Sequence, residues 1–144
     1  MSPFAKLLRD HRIKAGLPQK ELAELLGFEQ SYLSALELGL KGPPNMEFAS
    51  QLVMVLELDQ EEQIALMEAL AASQRRVDVP NEAPIEIFWM CHKLRQQIDR
   101  LHPLQIELMM TALNLPSEFN LGNTEQPTRL RRRSHKSTIQ GAKM

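Results

Sequence analysis

One cysteine, one tryptophan and one tyrosine in 144 residues leave out several kinds of protein at once. A lone thiol, Cys91, excludes an internal disulfide framework, and the four histidines (His11, His92, His102, His135) show no spacing that would assemble a metal site. Long apolar runs are missing too: the longest are a few residues, against the roughly 18 that a membrane-spanning helix needs. Nor does a basic start followed by an apolar stretch mark a secretory signal, so the expected location is the cytoplasm. The chain has no glycine-rich nucleotide loop, no internal repeat and no strand-like alternation long enough for a sheet. No serine, cysteine or histidine constellation has catalytic spacing, and the glutamates fall on solvated helix faces. The expectation is a protein that is not an enzyme, with no cofactor, no metal and no membrane partner.

What is present is ordinary for a soluble globular chain: 43% hydrophobic and 24% charged residues, enough for a packed core. The net charge of −1 is unevenly spread. Residues 1–76 carry 8 basic and 11 acidic groups, residues 77–122 carry 3 and 6, and residues 123–144 carry 6 and 1. Early in the first segment Lys6, Arg9, Arg12, Lys14 and Lys20 cluster, while Glu57, Asp59, Glu61, Glu62 and Glu68 gather late, which permits a one-sided field.

Helical punctuation recurs along the first half. Ser2 before Pro3 reads as a capping hydroxyl and a first-turn proline, opening a helix that stops at Gly16. A second helix fits Gln19–Leu26, with Leu22, Leu25 and Leu26 on its apolar side and Gly27 ending it. A third fits Gln30–Leu38, ended by Gly39, and a fourth follows the GLKGPPN loop from Met46 to Leu56, with Phe48, Leu52, Val55 and Leu56 inward. Asp59 and Glu62 form a capping-box pattern for a fifth helix reaching Arg76 and carrying Ile64, Met67, Leu70 and Ala71. The expected fold is all-α: a five-helix domain over 1–76, a proline-containing linker over 77–84, a helical segment over 85–120 and a basic, unstructured tail over 121–144.

Two short helices joined at a glycine, the second with small polar residues outward, have a chemical use. The turn holds the second helix proud of the surface, where it can enter the roughly 12 Å wide major groove of DNA. Ala23 and Gly27 permit close approach of the pair, Leu33 and Leu36 anchor the second helix, and Gln30, Ser31, Ser34 and Ala35 point away. Over FAKLLRDHRIKAGLPQKELAELLGFEQSYLSALELG the chain resembles the lambda-repressor-like, Cro/C1 and XRE family of helix-turn-helix regulators, with Arg12, Gly16, Leu17, Gln19, Leu22, Ala23, Gly27, Ser31, Leu33, Glu37 and Gly39 at family positions. The resemblance extends over about residues 4–72. It implies that Gln19 binds a phosphate and braces Gln30, that Gln30 reads a base, and that Ser31 and Ala35 face bases. It also implies an Arg12–Glu37 pair, with Arg12 structural first and phosphate-binding second, and a backbone contact from Lys41. Independently, a glutamine amide can pair with adenine N6 and N7, whereas an alanine can only touch a thymine methyl. Tyr32 suits either stacking on the sugar-phosphate backbone or covering the core edge. Glu29, beside the start of the third helix, stands where a phosphate is expected and is reconciled by a capping role.

Beyond the linker, Ile87, Cys91, Leu94, Ile98 and Leu101 alternate steps of four and three, the spacing of a seam along one helix of about 18 residues. With Phe88 and Trp89 at one end, this seam is expected to be the self-association surface, centred on Trp89, Leu94, Ile98 and Leu101. An effector pocket is the other use of Phe88 and Trp89. The RLRRRSHK stretch fits either phosphate contact or a solvated tail. The expected function is a transcriptional regulator that binds a pseudo-palindromic operator in double-stranded DNA as a homodimer or homotetramer. The alternative is an antitoxin-type interaction protein whose residues 84–115 bind a protein partner, with autoregulatory DNA binding.

Overall fold

The computed structural model describes residues 1–116. Those residues form helices α1 (Pro3–Lys14), α2 (Gln19–Leu26), α3 (Gln30–Glu37), α4 (Met46–Val55), α5 (Gln60–Ala72), α6 (Ile85–Gln97) and α7 (Pro103–Leu113), with no strand among them. The fold is all-α. It divides into two compact units, Met1–Glu82 and a second that begins at Ala83. The tail expected from residue 121 onward lies outside the described residues. No helix among the described residues is long and apolar enough to cross a membrane.

Local chemistry sets the helix ends in the first unit. Ser2 Oγ accepts the Ala5 N–H at 3.1 Å with Pro3 in the first turn, and Asn45 Oδ1 accepts the Phe48 N–H at 3.0 Å to start α4. The Asp59–Glu62 box is reciprocal: Asp59 accepts the Glu62 N–H at 2.8 Å and Glu62 accepts the Asp59 N–H at 3.0 Å. Each such cap is worth about 1 kcal/mol. α5 ends sooner than the expected Arg76, at Ala72.

The core gathers one stripe from each of the five helices: Phe4 and Leu8, Leu22, Leu33 and Leu36, Phe48 and Leu52, and Leu66 are fully buried. α1 packs on α5 and α3, and α2 packs on α3 and α4. The inward face of α5 is Leu66, Ala69 and Leu70; of the expected stripe only Leu70 is buried, while Ile64 is 61% exposed, Met67 is 43% exposed and Ala71 faces solvent. Leu25 is likewise exposed, and Val55 and Leu56 are only half-buried. α2, α4 and α5 are each apolar on more than one side, so packing of α5 on α1 and of α2 on α4 selects the buried face where the sequence pattern does not.

Two polar links tie α5 to α1. Lys14 Nζ reaches Glu62 Oε1 at 2.8 Å, and this hydrogen bond holds the Glu62 carboxyl below, and the Lys14 ammonium above, its ordinary range. The carboxylate's contribution is therefore present at neutral pH and is lost as pH falls through its lowered value; the lysine's is lost only at high pH. Both groups meet solvent, so the bridge adds little. The second link is buried. Ser73 Oγ accepts the Phe4 N–H at 2.9 Å and donates to the Ala69 carbonyl at 2.6 Å, joining residues 69 positions apart. Ser73→Ala strands the Phe4 N–H away from water. The expected loss is about 1–3 kcal/mol, read as a lower urea midpoint at unchanged slope; an unchanged midpoint contradicts this role.

In the second unit α6 has 13 residues rather than about 18. His102 Nδ1 accepts the Leu104 N–H at 3.1 Å and Gln105 Oε1 accepts the His102 N–H at 2.8 Å, starting α7 at Pro103. No residue of either helix is buried. Of the expected seam, Ile87, Cys91, Leu94 and Leu101 are half-buried, whereas Phe88, Trp89 and Ile98 are exposed.

Candidate nucleic-acid interface

The turn between α2 and α3 is built on one residue without a Cβ. Gly27 adopts φ +75°, which other residues reach at a steric cost, and the Phe28 N–H then closes on the Ala23 carbonyl at 2.9 Å. Ala23 is buried where the two helices meet, and Leu33 and Leu36 seat α3 from below. α3 therefore turns Gln30 and Ser31 fully outward, with Ser34 and Ala35 half-buried beside them.

A buried charged cluster fixes the far end of α3. Glu37, the last residue of α3, is 4% exposed. It accepts from Arg12 Nε at 2.6 Å, from Arg12 Nη2 at 3.1 Å and from Gln19 Nε2 at 2.8 Å. A further Arg12 nitrogen, Nη1, donates to the Leu17 carbonyl at 2.8 Å. One carboxylate thus joins α1, the start of α2 and the end of α3. The brace implied between Gln19 and Gln30 is not the contact made: the Gln19 amide goes to Glu37, 18 positions away. One amide hydrogen of Gln19 remains for another acceptor, and α2 starts without a side-chain cap, so its first backbone N–H groups are open to an anion.

The same cluster lines a cavity of about 230 Å³ with Arg9 and Leu38. Arg9 was not among the expected contacts. It lies one helical turn before Arg12, is exposed, and has no ion pair or hydrogen bond among the described residues. That i, i+3 spacing was visible in the sequence.

At the other end of α3 four aromatic rings meet. Tyr32 stacks on Phe28, with centroids 5.2 Å apart and planes at 25°, and meets the edge of Phe48 at 6.1 Å; Phe48 in turn meets Phe28 and Phe4. Lys41 Nζ sits 5.0 Å from the Tyr32 ring centroid, a cation–π distance. Tyr32 thus covers the core edge and carries a lysine above it. The loop bearing Lys41 is tied down by the Leu40 N–H to the Ala35 carbonyl at 3.0 Å and by the Arg75 guanidinium to the Gly39 carbonyl. Glu29 occupies the N-cap position of α3 but makes no capping hydrogen bond; its carboxylate accepts from the Ser31 hydroxyl at 3.4 Å, leaving a negative charge on the outward face.

These elements are a glycine-closed pair of helices with the second held outward at both ends. A family model described as a helix-turn-helix domain matches residues 3–78. The chain belongs to that family. Searches of curated proteins and of solved structures give no match. The helix-turn-helix domain coincides with the first compact unit, so the DNA-binding architecture and its core are the same five helices. Within it, Gln19 opens α2, Gln30, Ser31, Ser34 and Ala35 lie on α3 and Lys41 on the loop that follows, while Arg12 is engaged by Glu37.

Proposed function

We propose that the protein is a sequence-specific transcriptional regulator that inserts α3 into the major groove and binds a pseudo-palindromic operator as a homo-oligomer in the cytoplasm. The observation that carries this is the Arg12–Glu37–Gln19 cluster, which sets the attitude of a helix whose outward residues are small and polar. In this account Gln30 pairs with a base edge, Ser31 and Ser34 add short polar contacts, and Ala35 admits a thymine methyl. Gln19, the open start of α2, Arg9 and Lys41 hold phosphates on either side and set the register without reading sequence. Two copies place two such helices about 34 Å apart, on successive major grooves of one face of the duplex.

The test is Gln30→Ala, an exposed substitution that leaves the fold intact. DNA fragments selected by the variant should lose preference at one position of each half-site, a loss of about 1–3 kcal/mol in discrimination. Base preferences identical to the parent's at every position would remove Gln30 as the reader.

Glu29 supplies a second expectation of opposite sign. Its carboxylate opposes nearby phosphates, so Glu29→Gln should tighten binding to all sequences alike, by up to about 1 kcal/mol, the size of a water-screened interaction between unit charges a few ångströms apart. Fluorescence anisotropy on specific and unrelated duplexes reads this directly; weaker binding would place Glu29 in a supporting role instead.

A further inference from the structure

The described residues of the second unit show no core of their own. From Ala83 to Pro116 no residue is buried, and Ile85, Phe88, Trp89, Ile98, Leu108 and Leu113 are each between 47% and 77% exposed. α7 is the more extreme helix. At 100° per residue, Leu104, Leu108, Ala112, Met109, Leu113, Ile106 and Met110 span about two thirds of its circumference, and Glu107 is its only charge. Gln105, the one polar residue inside that arc, has its carbonyl engaged on the His102 N–H. An arc that wide exceeds the roughly 100° that a helix buries against one core face. α6 can cover part of it; the remainder needs a second neighbour.

We propose that this neighbour is a second copy of the chain, so that α6 and α7 of two protomers form a helical bundle with α7, rather than the α6 seam, at its centre. This deepens the homo-oligomeric part of the function proposed above. Three observations select the occupant. Residues 83–116 carry Lys93, Arg95 and Arg100 against Glu86, Asp99 and Glu107, a balanced set that lets two copies meet without net repulsion. A membrane surface is disfavoured, because α7 is too short to span and has no basic residue to meet anionic lipid. The area also suffices: large side chains at these exposures offer on the order of 100 Å² each, and the six above together with Leu104, Ile106, Met109 and Met110 exceed the roughly 800 Å² per partner of a standard interface.

The experiment is light scattering on the full chain at micromolar concentration, alongside Met110→Glu/Leu113→Glu in α7, Leu94→Glu/Ile98→Glu on the α6 seam, and a chain ending at Pro116. The parent and the chain ending at Pro116 should have a mass at least twice the monomer's. The α7 variant should have the monomer mass with a thermal unfolding midpoint of the helix-turn-helix domain like the parent's, and the α6 variant should dissociate only on dilution. A monomeric parent, an α7 variant of unchanged mass, or an assembly lost with residues 117–144 would each overturn the proposal. So would a parent that is monomeric alone and becomes a complex only with a different protein. Mass is read without DNA, so a correct assembly with no sequence preference would defeat the DNA-reading account while leaving this one intact.

Discussion

Arg12→Ala should cost about 3–5 kcal/mol of stability, the usual consequence of removing one partner of a buried ion pair. Glu37 is 4% exposed and receives two of its three hydrogen bonds from Arg12. Without the guanidinium, one hydrogen bond remains to the buried carboxylate, from the Gln19 amide, and its charge is left largely uncompensated. A domain of this size has only about 5–15 kcal/mol in total, so the variant should be partly unfolded at moderate urea. Replacing both partners, Arg12→Met with Glu37→Met, removes the stranded charge together with its partner, and should return stability to within about 1–2 kcal/mol of the parent. DNA binding should recover less than stability does, because the pair also holds α3 against α1 and α2. The measurement is urea unfolding followed by circular dichroism for both variants; equal stability of Arg12→Ala and parent would mean that Glu37 does not depend on the pair.

Phe48→Ala should be comparably severe, at about 3–5 kcal/mol, because it deletes a fully buried ring and leaves a cavity between α1, α3 and α4. Its neighbours make the effect more than a loss of burial. Phe48 touches Phe4, Phe28 and Tyr32, and Tyr32 carries Lys41 over its ring. The cavity should therefore loosen the α3–α4 loop as well as the core, weakening DNA binding under conditions where the domain remains folded. Phe48→Leu, which keeps much of the volume, should cost less than half as much. A calorimetric scan of the three proteins checks the ranking, and a Phe48→Ala midpoint within a degree or two of the parent's would contradict it.

Much of the first unit was legible because its signals are local. Ser2–Pro3, the Asp59–Glu62 box and the glycines at 16, 27 and 39 each act within a few residues, and all three glycines adopt positive φ. The helix-turn-helix core followed from Leu22, Leu33 and Leu36 at helical spacing. What escaped depends on distant partners. The buried face of α5 could not be chosen from a run in which Ile64, Ala65, Leu66, Met67, Ala69, Leu70, Ala71 and Ala72 are all apolar. Ser73 looks like any helix-ending serine until Phe4 arrives from 69 residues away. Gln19 was placed at the site through family resemblance, but its observed partner is Glu37 and not Gln30, the two being brought together where α2 packs on α3. Beyond Ala83 the α6 seam was visible, whereas the two-thirds apolar arc of α7 has no single period to recognise.

In the proposed complex α3 reads sequence. This is tested most directly by selecting a duplex from a random pool with the purified full chain, then measuring affinity for that duplex and for a scrambled one of equal length and composition at the same salt. The expected ratio is about 10³ or more, as specific complexes show over non-specific ones, with a selected sequence built of two inverted half-sites. Equal affinity for the two duplexes would contradict it.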